Sequence, residues 1–253
     1  MQGQPADPAA RPGRTGRPGR DAVGVRRHRQ PGGRRVTTSP RTGARPRPGS
    51  PARRVPADLL DGVARWGTVP TDAGDFRLRP VRLTPDLPLL VEWMNDPEVA
   101  AFWELDGPPA TTEQHLREQL DGDGRSVPCM GLLDGTPMSY WEVYRADLDP
   151  LALHYPARPH DTGVHLLLGP TTARGRGLGT LLLAALAERI LQVRPRCHRV
   201  VAEPDVRNLP SVRAFQRAGF HLAAEVDLPA KRAALMIRQR PSGHPEHASP
   251  TLP

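Results

Sequence analysis

Cysteine is nearly absent, with only Cys129 and Cys197 in the chain and no metal-type spacing between them. That excludes a disulfide framework and a thiolate zinc site. No apolar run is long enough to span a membrane. The basic amino terminus lacks both the apolar stretch of a secretory signal and the apolar face of a transit peptide. The expected location is therefore cytoplasmic. Lysine occurs once, at Lys231, and every other basic residue is Arg. A coding bias explains that usage as readily as selection does.

A further absence divides the chain. Residues 1–56 contain no Leu, Ile, Phe, Trp or Tyr, but fourteen Arg against two Asp. Such a segment cannot bury enough apolar surface to offset the entropy of ordering its backbone. Its repeated Pro-Gly and Arg-Pro pairs also oppose helix. Residues 1–70 are expected to be a disordered tail, and the polar, Pro-rich residues 241–253 a second one. The first segment carries +12, which leaves 21 basic and 25 acidic groups, or −4, on residues 57–253. The high pI thus belongs to the tail. Arg-rich sequence can neutralise phosphates, but this tail has no aromatic residue to stack on bases. Nucleic-acid binding is the weaker expectation, behind an inert appendage or upstream sequence read from an early start.

Folded character is expected over residues 75–240. Phe76 to Leu83 alternates like a strand, and Thr84 to Asn95 has the apolar spacing of a helix. A second helix starts at Thr111 or Thr112 and runs through Leu120. Two apolar runs, Val127 to Leu133 and Met138 to Tyr144, flank Asp134-Gly135, a hairpin signal. Val164 to Gly169 reads as a buried strand. Leu178 to Val193 is apolar over most of its circumference, as suits a helix packed on a sheet. Arg199–Ala202 and His221–Val226 read as strands, Asn208–Ala218 as a helix stopped by Gly219, and Ala233–Arg238 closes the sequence of elements. Interleaved strands and helices indicate an α/β layered domain.

The loop Arg174-Gly175-Arg176-Gly177-Leu178-Gly179-Thr180 lies between the buried strand and the apolar helix. Backbone N–H groups at a helix start converge there, and the helix dipole favours an anion. Glycine permits close approach, and Arg174 and Arg176 can add charge-assisted contacts. No Lys followed by Ser or Thr is present for a Walker loop. A dinucleotide fingerprint would want Gly where Thr180 stands. By itself the loop is equally a connecting turn.

Arg174-x-x-Gly177-x-Gly179 after a buried strand resembles the acyl-CoA pyrophosphate motif of the GNAT acyltransferase superfamily. Asn208, Ser211, Phe215 and Ala218-Gly219-Phe220 resemble its second conserved segment, where Asn caps a helix beside the CoA arm. The resemblance implies a central mixed, mostly antiparallel sheet flanked by helices, with acyl-CoA as cosubstrate and no metal. It implies CoA contacts from Leu166, Leu167, Leu168, Arg174 to Thr180, Asn208, Ser211 and Phe215. Many members carry a Tyr where Phe215 stands, which protonates the departing thiolate; Phe cannot.

Three further stretches, Tyr140–Tyr144, Asp161–Pro170 and Ala202–Asn208, together with Leu228–Met236, resemble acyltransferases of hydroxamate siderophore biosynthesis. These acylate an N-hydroxylated lysine, ornithine or diamine side chain. The resemblance places a catalytic His at His165 and a carboxylate at Glu203. A neutral imidazole can accept the proton released as nitrogen attacks a thioester. Alternation sets His165 opposite Val164 and Leu166. An isolated His in an apolar strand is otherwise a hydrogen-bonded core residue.

Asp205 is the alternative carboxylate, or a helix cap. Glu142 beside Trp141 is a candidate clamp for a substrate ammonium, or a solvated outward residue. His154, His160 and His165 lack the helical pairing of a zinc enzyme. Acylation of an ordinary amine, such as an aminoglycoside or a polyamine, and a non-catalytic CoA-binding module are the competing readings. The acyl group, acetyl or succinyl among others, and the oligomeric state are left open.

Overall fold

Eight strands form one sheet in the order β1-β2-β3-β4-β5-β6-β8-β7, in a computed structural model that describes residues 60 and 62–241. The two expected tails lie largely outside the described residues. The elements are β1 Thr68–Thr71, β2 Gly74–Pro80, α1 Leu83–Met94, α2 Pro97–Trp103 and α3 Pro109–Leu120. They continue with β3 Ser126–Leu133, β4 Thr136–Arg145, β5 Thr162–Leu168, α4 Leu178–Val193 and β6 Arg199–Ala202. The chain closes with α5 Leu209–Arg217, β7 His221–Asp227 and β8 Arg232–Gln239. Every neighbouring pair is antiparallel except β5 and β6, which run parallel.

The two faces of the sheet bury different helices. One face carries α4, with Leu182, Leu186 and Ile190 packed against Trp141, Val164 and Met236. On the other, Leu90, Trp93 and Met94 of α1 and Leu116 of α3 meet Tyr140 and Leu167. Period-two alternation along β4 and β5 therefore sends Tyr140, Glu142, Tyr144, His165 and Leu167 to the α1–α3 side. The Asp-Gly hairpin is present: Asp134 (φ 48) and Gly135 (φ 80) supply the two left-handed residues that a tight β3–β4 turn requires.

Two expectations need correction. Folded structure begins before residue 70, because Leu60, Val63 and Trp66 are buried in the α4-side core and β1 pairs with β2 at the sheet edge. These apolar residues are isolated in a Gly- and Arg-containing stretch, and the four residues of β1 are too few to carry a period. The short helix α2 was not anticipated either. It has seven residues, with Pro97 in its first turn and an Asp96 side chain that accepts from the Glu98 N–H.

Candidate active site

A cleft opens because β5 leaves one neighbour and keeps the other. It pairs with β6 only at Thr162↔Val200 and Gly163↔Val201, but stays paired with β4 as far as Leu168. From Val164 onward its β6-side edge has no strand partner. The opening has a volume of about 250 Å³ and is lined by His165, Leu166, Glu203, Asn208, Phe215 and Lys231, with Phe102, Trp103 and Leu105 on the opposite wall.

His165 stands at its floor between two carboxylates. Nδ1 lies 2.8 Å from Glu142 Oε2, and Nε2 is in close contact with Glu203 Oε1. Each carboxylate is held in turn. Tyr144 Oη donates to Glu203 Oε2 at 2.6 Å. Glu142 Oε1 accepts from Tyr140 Oη at 2.9 Å and from Gln119 Nε2 at 2.7 Å, and lies 2.5 Å from His115 Nε2. Gly163 makes room for this arrangement, since a Cβ there would fall 2.0 Å from Tyr144 Cζ.

Burial would push the His165 imidazole down, but the charge of Glu203 and the hydrogen bonds to both carboxylates outweigh it and push the pKa up to about 10. Burial likewise opposes ionisation of Glu203, yet the neighbouring His165 brings it down to about 2. Burial also opposes ionisation of Glu142, and its hydrogen bonds to His115 and His165 hold it well below the usual carboxylate range. At neutral pH the resting His165 is therefore an imidazolium that donates both N–H groups. It accepts a proton only when Nε2 has first been freed of its own.

The glycine loop leads into α4. Gly175 (φ 70) and Gly177 (φ 84) are left-handed and have no atom within 4 Å of where a Cβ would sit. No side chain caps α4, so its first-turn N–H groups face outward unfilled by a side-chain acceptor. Gly179 packs on the side chains of Leu166 and Leu168. Asn208 caps α5, accepting from the Ser211 N–H at 3.1 Å, and Phe215 is packed edge-to-face on Phe220.

Several expected residues sit differently. Trp141 is fully buried on the α4 side against Phe76, so strand alternation removes it from the cleft and corrects its expected substrate contact. Glu142 reaches the cleft, where Oε1 is taken by His115, Gln119 and Tyr140 and Oε2 by His165. Asp205 lines the cleft and is held by Arg207 through contacts of 2.6–3.1 Å. The Arg174 guanidinium turns to Asp96 at 2.8 Å and to the carbonyls of Leu168 and Gly169, pinning the loop to α2 and the end of β5. Among residues not singled out beforehand, His115, Gln119 and Trp103 belong to the site. His115 and Gln119 are four apart on α3, a helical face signal, but nothing local indicates that they meet β4. Both cysteines are buried, and burial pushes the Cys129 thiol up, unlike an activated nucleophile. Among the described residues no group of three or more His, Cys, Asp or Glu is placed to hold a metal ion.

A sheet that parts beside an uncapped, glycine-led helix offers an anion site next to an open strand edge, which suits the acyl-CoA-dependent transferase class that the sequence comparisons establish. Residues 82–228 match the acetyltransferase (GNAT) domain family, and the chain belongs to that family. It is 37% identical over 187 residues to lysine N-acyltransferase MbtK of Mycobacterium tuberculosis, covering 73% of this chain and 88% of that protein. It is 34% identical over 155 residues to an Escherichia coli N(6)-hydroxylysine O-acetyltransferase, covering 61% and 49% of the two chains. Among solved structures, aminoglycoside acetyltransferase AAC(6')-Ib with coenzyme A superposes with a TM-score of 0.57 at 27% identity, over 65% of this chain and 95% of that one.

Proposed function

We propose that this protein transfers an acyl group from acyl-CoA to the nitrogen of an N-hydroxylated lysine, ornithine or diamine side chain in hydroxamate siderophore biosynthesis. The observation that carries the reading is the Glu142–His165–Glu203 array at the point where β5 parts from β6. The relatives named for lysine and N(6)-hydroxylysine support the choice of acceptor. In this reading the CoA pyrophosphate lies on Gly175 to Thr180 at the start of α4, and the pantetheine arm runs along the open edge of β5 at Leu166 to Leu168. Asn208, Ser211 and Phe215 form the far side of that arm. The thioester carbonyl is polarised by a backbone N–H of β5.

The acceptor nitrogen attacks this carbonyl, and its proton passes to the His165–Glu203 pair. Nε2 becomes the acceptor in the form of the site that has lost the imidazolium proton to solvent, a neutral imidazole beside the ionised Glu203. A hydroxylamine is largely unprotonated at neutral pH, so little basic strength is asked of the pair. Phe215 offers no proton to the departing thiolate. The protonated pair is the nearest acid, and the carbonyl carbon never bonds to the enzyme.

Replacing Gly177 by Ala forces a left-handed backbone on a β-carbon, which costs roughly 1–2 kcal/mol. The expected result is a KM for acyl-CoA raised about 5- to 30-fold with kcat less affected, read by steady-state kinetics. An unchanged KM would remove this loop from the cofactor site.

Release of free CoA should be followed with acetyl-CoA and succinyl-CoA against N6-hydroxylysine, N-hydroxycadaverine, their parent amines and an aminoglycoside. Turnover should favour the hydroxylamines over the parent amines. Turnover on the amines or the aminoglycoside alone would overturn the proposal in favour of ordinary amine acylation, of which the aminoglycoside acetyltransferase AAC(6')-Ib is an example.

A further inference from the structure

The single lysine of the chain lies in the cleft. All 34 other basic residues are Arg, and Arg forms the ion pairs with Asp86, Asp96, Asp161 and Asp205, where a planar fork meets a carboxylate. Lys231 is placed by a tight turn between β7 and β8, in which the Leu228 N–H donates to the Lys231 carbonyl at 2.9 Å. Its side chain is 29% exposed, and its ammonium lies 3.9 Å from Glu203 Oε1. That distance is an ion pair but not a hydrogen bond. Among the described residues the ammonium has no closer partner, so three strong donors point into the cleft with little to hold.

Glu203 is already satisfied by His165 and Tyr144, so Lys231 is not required to complete it. Asp205, the other carboxylate beside the ammonium, is matched by Arg207. An incoming carboxylate would therefore meet an ammonium whose three donors have no hydrogen-bond partner among the described residues. Lys231 is one carboxylate oxygen away from His165, so the ligand group must be carried close to the reacting atoms.

We propose that Lys231 anchors a carboxylate carried by one of the two substrates, either the distal carboxylate of a dicarboxylic acyl group or the α-carboxylate of an amino-acid acceptor. The inference rests on the acyl-transfer reading above and narrows its substrate class.

The test compares kcat/KM for wild type, Lys231→Met and Lys231→Arg over a two-by-two set of substrates. The donors are succinyl-CoA and its carboxylate-free isostere butyryl-CoA; the acceptors are N6-hydroxylysine and N-hydroxycadaverine, which lacks the carboxylate. Lys231→Met should lower the preference for the carboxylate-bearing member of one pair by about 10- to 100-fold, the size of a hydrogen bond to a charged group. Lys231→Arg should retain part of that preference, which a merely structural role would not predict. A change confined to the donor pair assigns the acyl carboxylate, and one confined to the acceptor pair assigns the α-carboxylate. A wild type indifferent to the carboxylate on both substrates, or a Met variant that loses activity equally on all four combinations, would overturn the proposal. If wild type turns over only amines, the hydroxylamine reading fails, and lysine against cadaverine carries the same comparison. If nothing turns over, calorimetric affinities of wild type and Lys231→Met for the same paired ligands decide it.

Discussion

His165→Ala is expected to lower kcat by about 10²- to 10⁴-fold, the range that a positioned acid–base group supplies, while the KM for acyl-CoA changes little. The imidazole touches neither the glycine loop nor the Asn208 cap, so the loss should fall on the chemical step. The pH dependence makes the prediction sharper. With a pKa of about 10 in the resting site, only a small fraction of His165 is neutral near pH 7. If neutral imidazole is the active form, log kcat/KM should rise with pH until it levels near 10. Removing the neighbouring charge by Glu203→Gln should shift that limb to lower pH. A wild-type profile that levels near the ordinary histidine value, unmoved by Glu203→Gln, would assign the proton to another group.

The second large effect is on stability. Glu142→Leu would leave His115, Gln119, Tyr140 and His165 Nδ1 facing an apolar group in a buried site. Breaking one partner out of a buried ionic cluster costs about 3–5 kcal/mol, which for a domain of this size is roughly 6–20 °C in melting temperature. Glu142→Gln keeps the shape and should cost less. Calorimetric melting of the three proteins gives the order, and a Leu variant as stable as wild type would contradict the assigned network. The same groups set the pH window. The folded-state pKa of His165 lies above its ordinary 6.5, so its stabilising contribution is complete below 6.5 and lost as pH rises through about 10. Glu203 is depressed from 4.5 to about 2, so its contribution is complete above 4.5 and lost as pH falls through about 2. Together they predict a stability plateau near pH 4.5–6.5.

Local patterning carried much of this fold. The long apolar run of α4 and the short strand β6 lie at the boundaries their sequences indicate, because hydrophobic periodicity and flanking turn residues are local signals. Helix α2 and strand β1 were hidden because seven and four residues are too few to show a period. The glycine loop and His165 were readable as motifs and as a family resemblance. What surrounds His165 was not, since the contacts from His115 and Tyr144 are 27 and 59 residues apart in sequence from the carboxylates they hold. Trp141 shows the same limit from the other side. Its neighbours in sequence suggested a substrate contact, whereas the phase of β4 sends it into the core. Nor could a sequence reveal that both oxygens of Glu142, an acidic residue with a ready-made substrate role, are held by protein partners.

The most direct test of acyl transfer to a hydroxylamine nitrogen is the identity of the product. Incubating the protein with acyl-CoA and N6-hydroxylysine or N-hydroxycadaverine, followed by ferric iron, should give the coloured ferric complex of an N-acyl hydroxamate, with the mass of one added acyl group. An acylated product of that mass that forms no ferric complex would place the acyl group elsewhere than the hydroxylamine nitrogen, and would contradict the account.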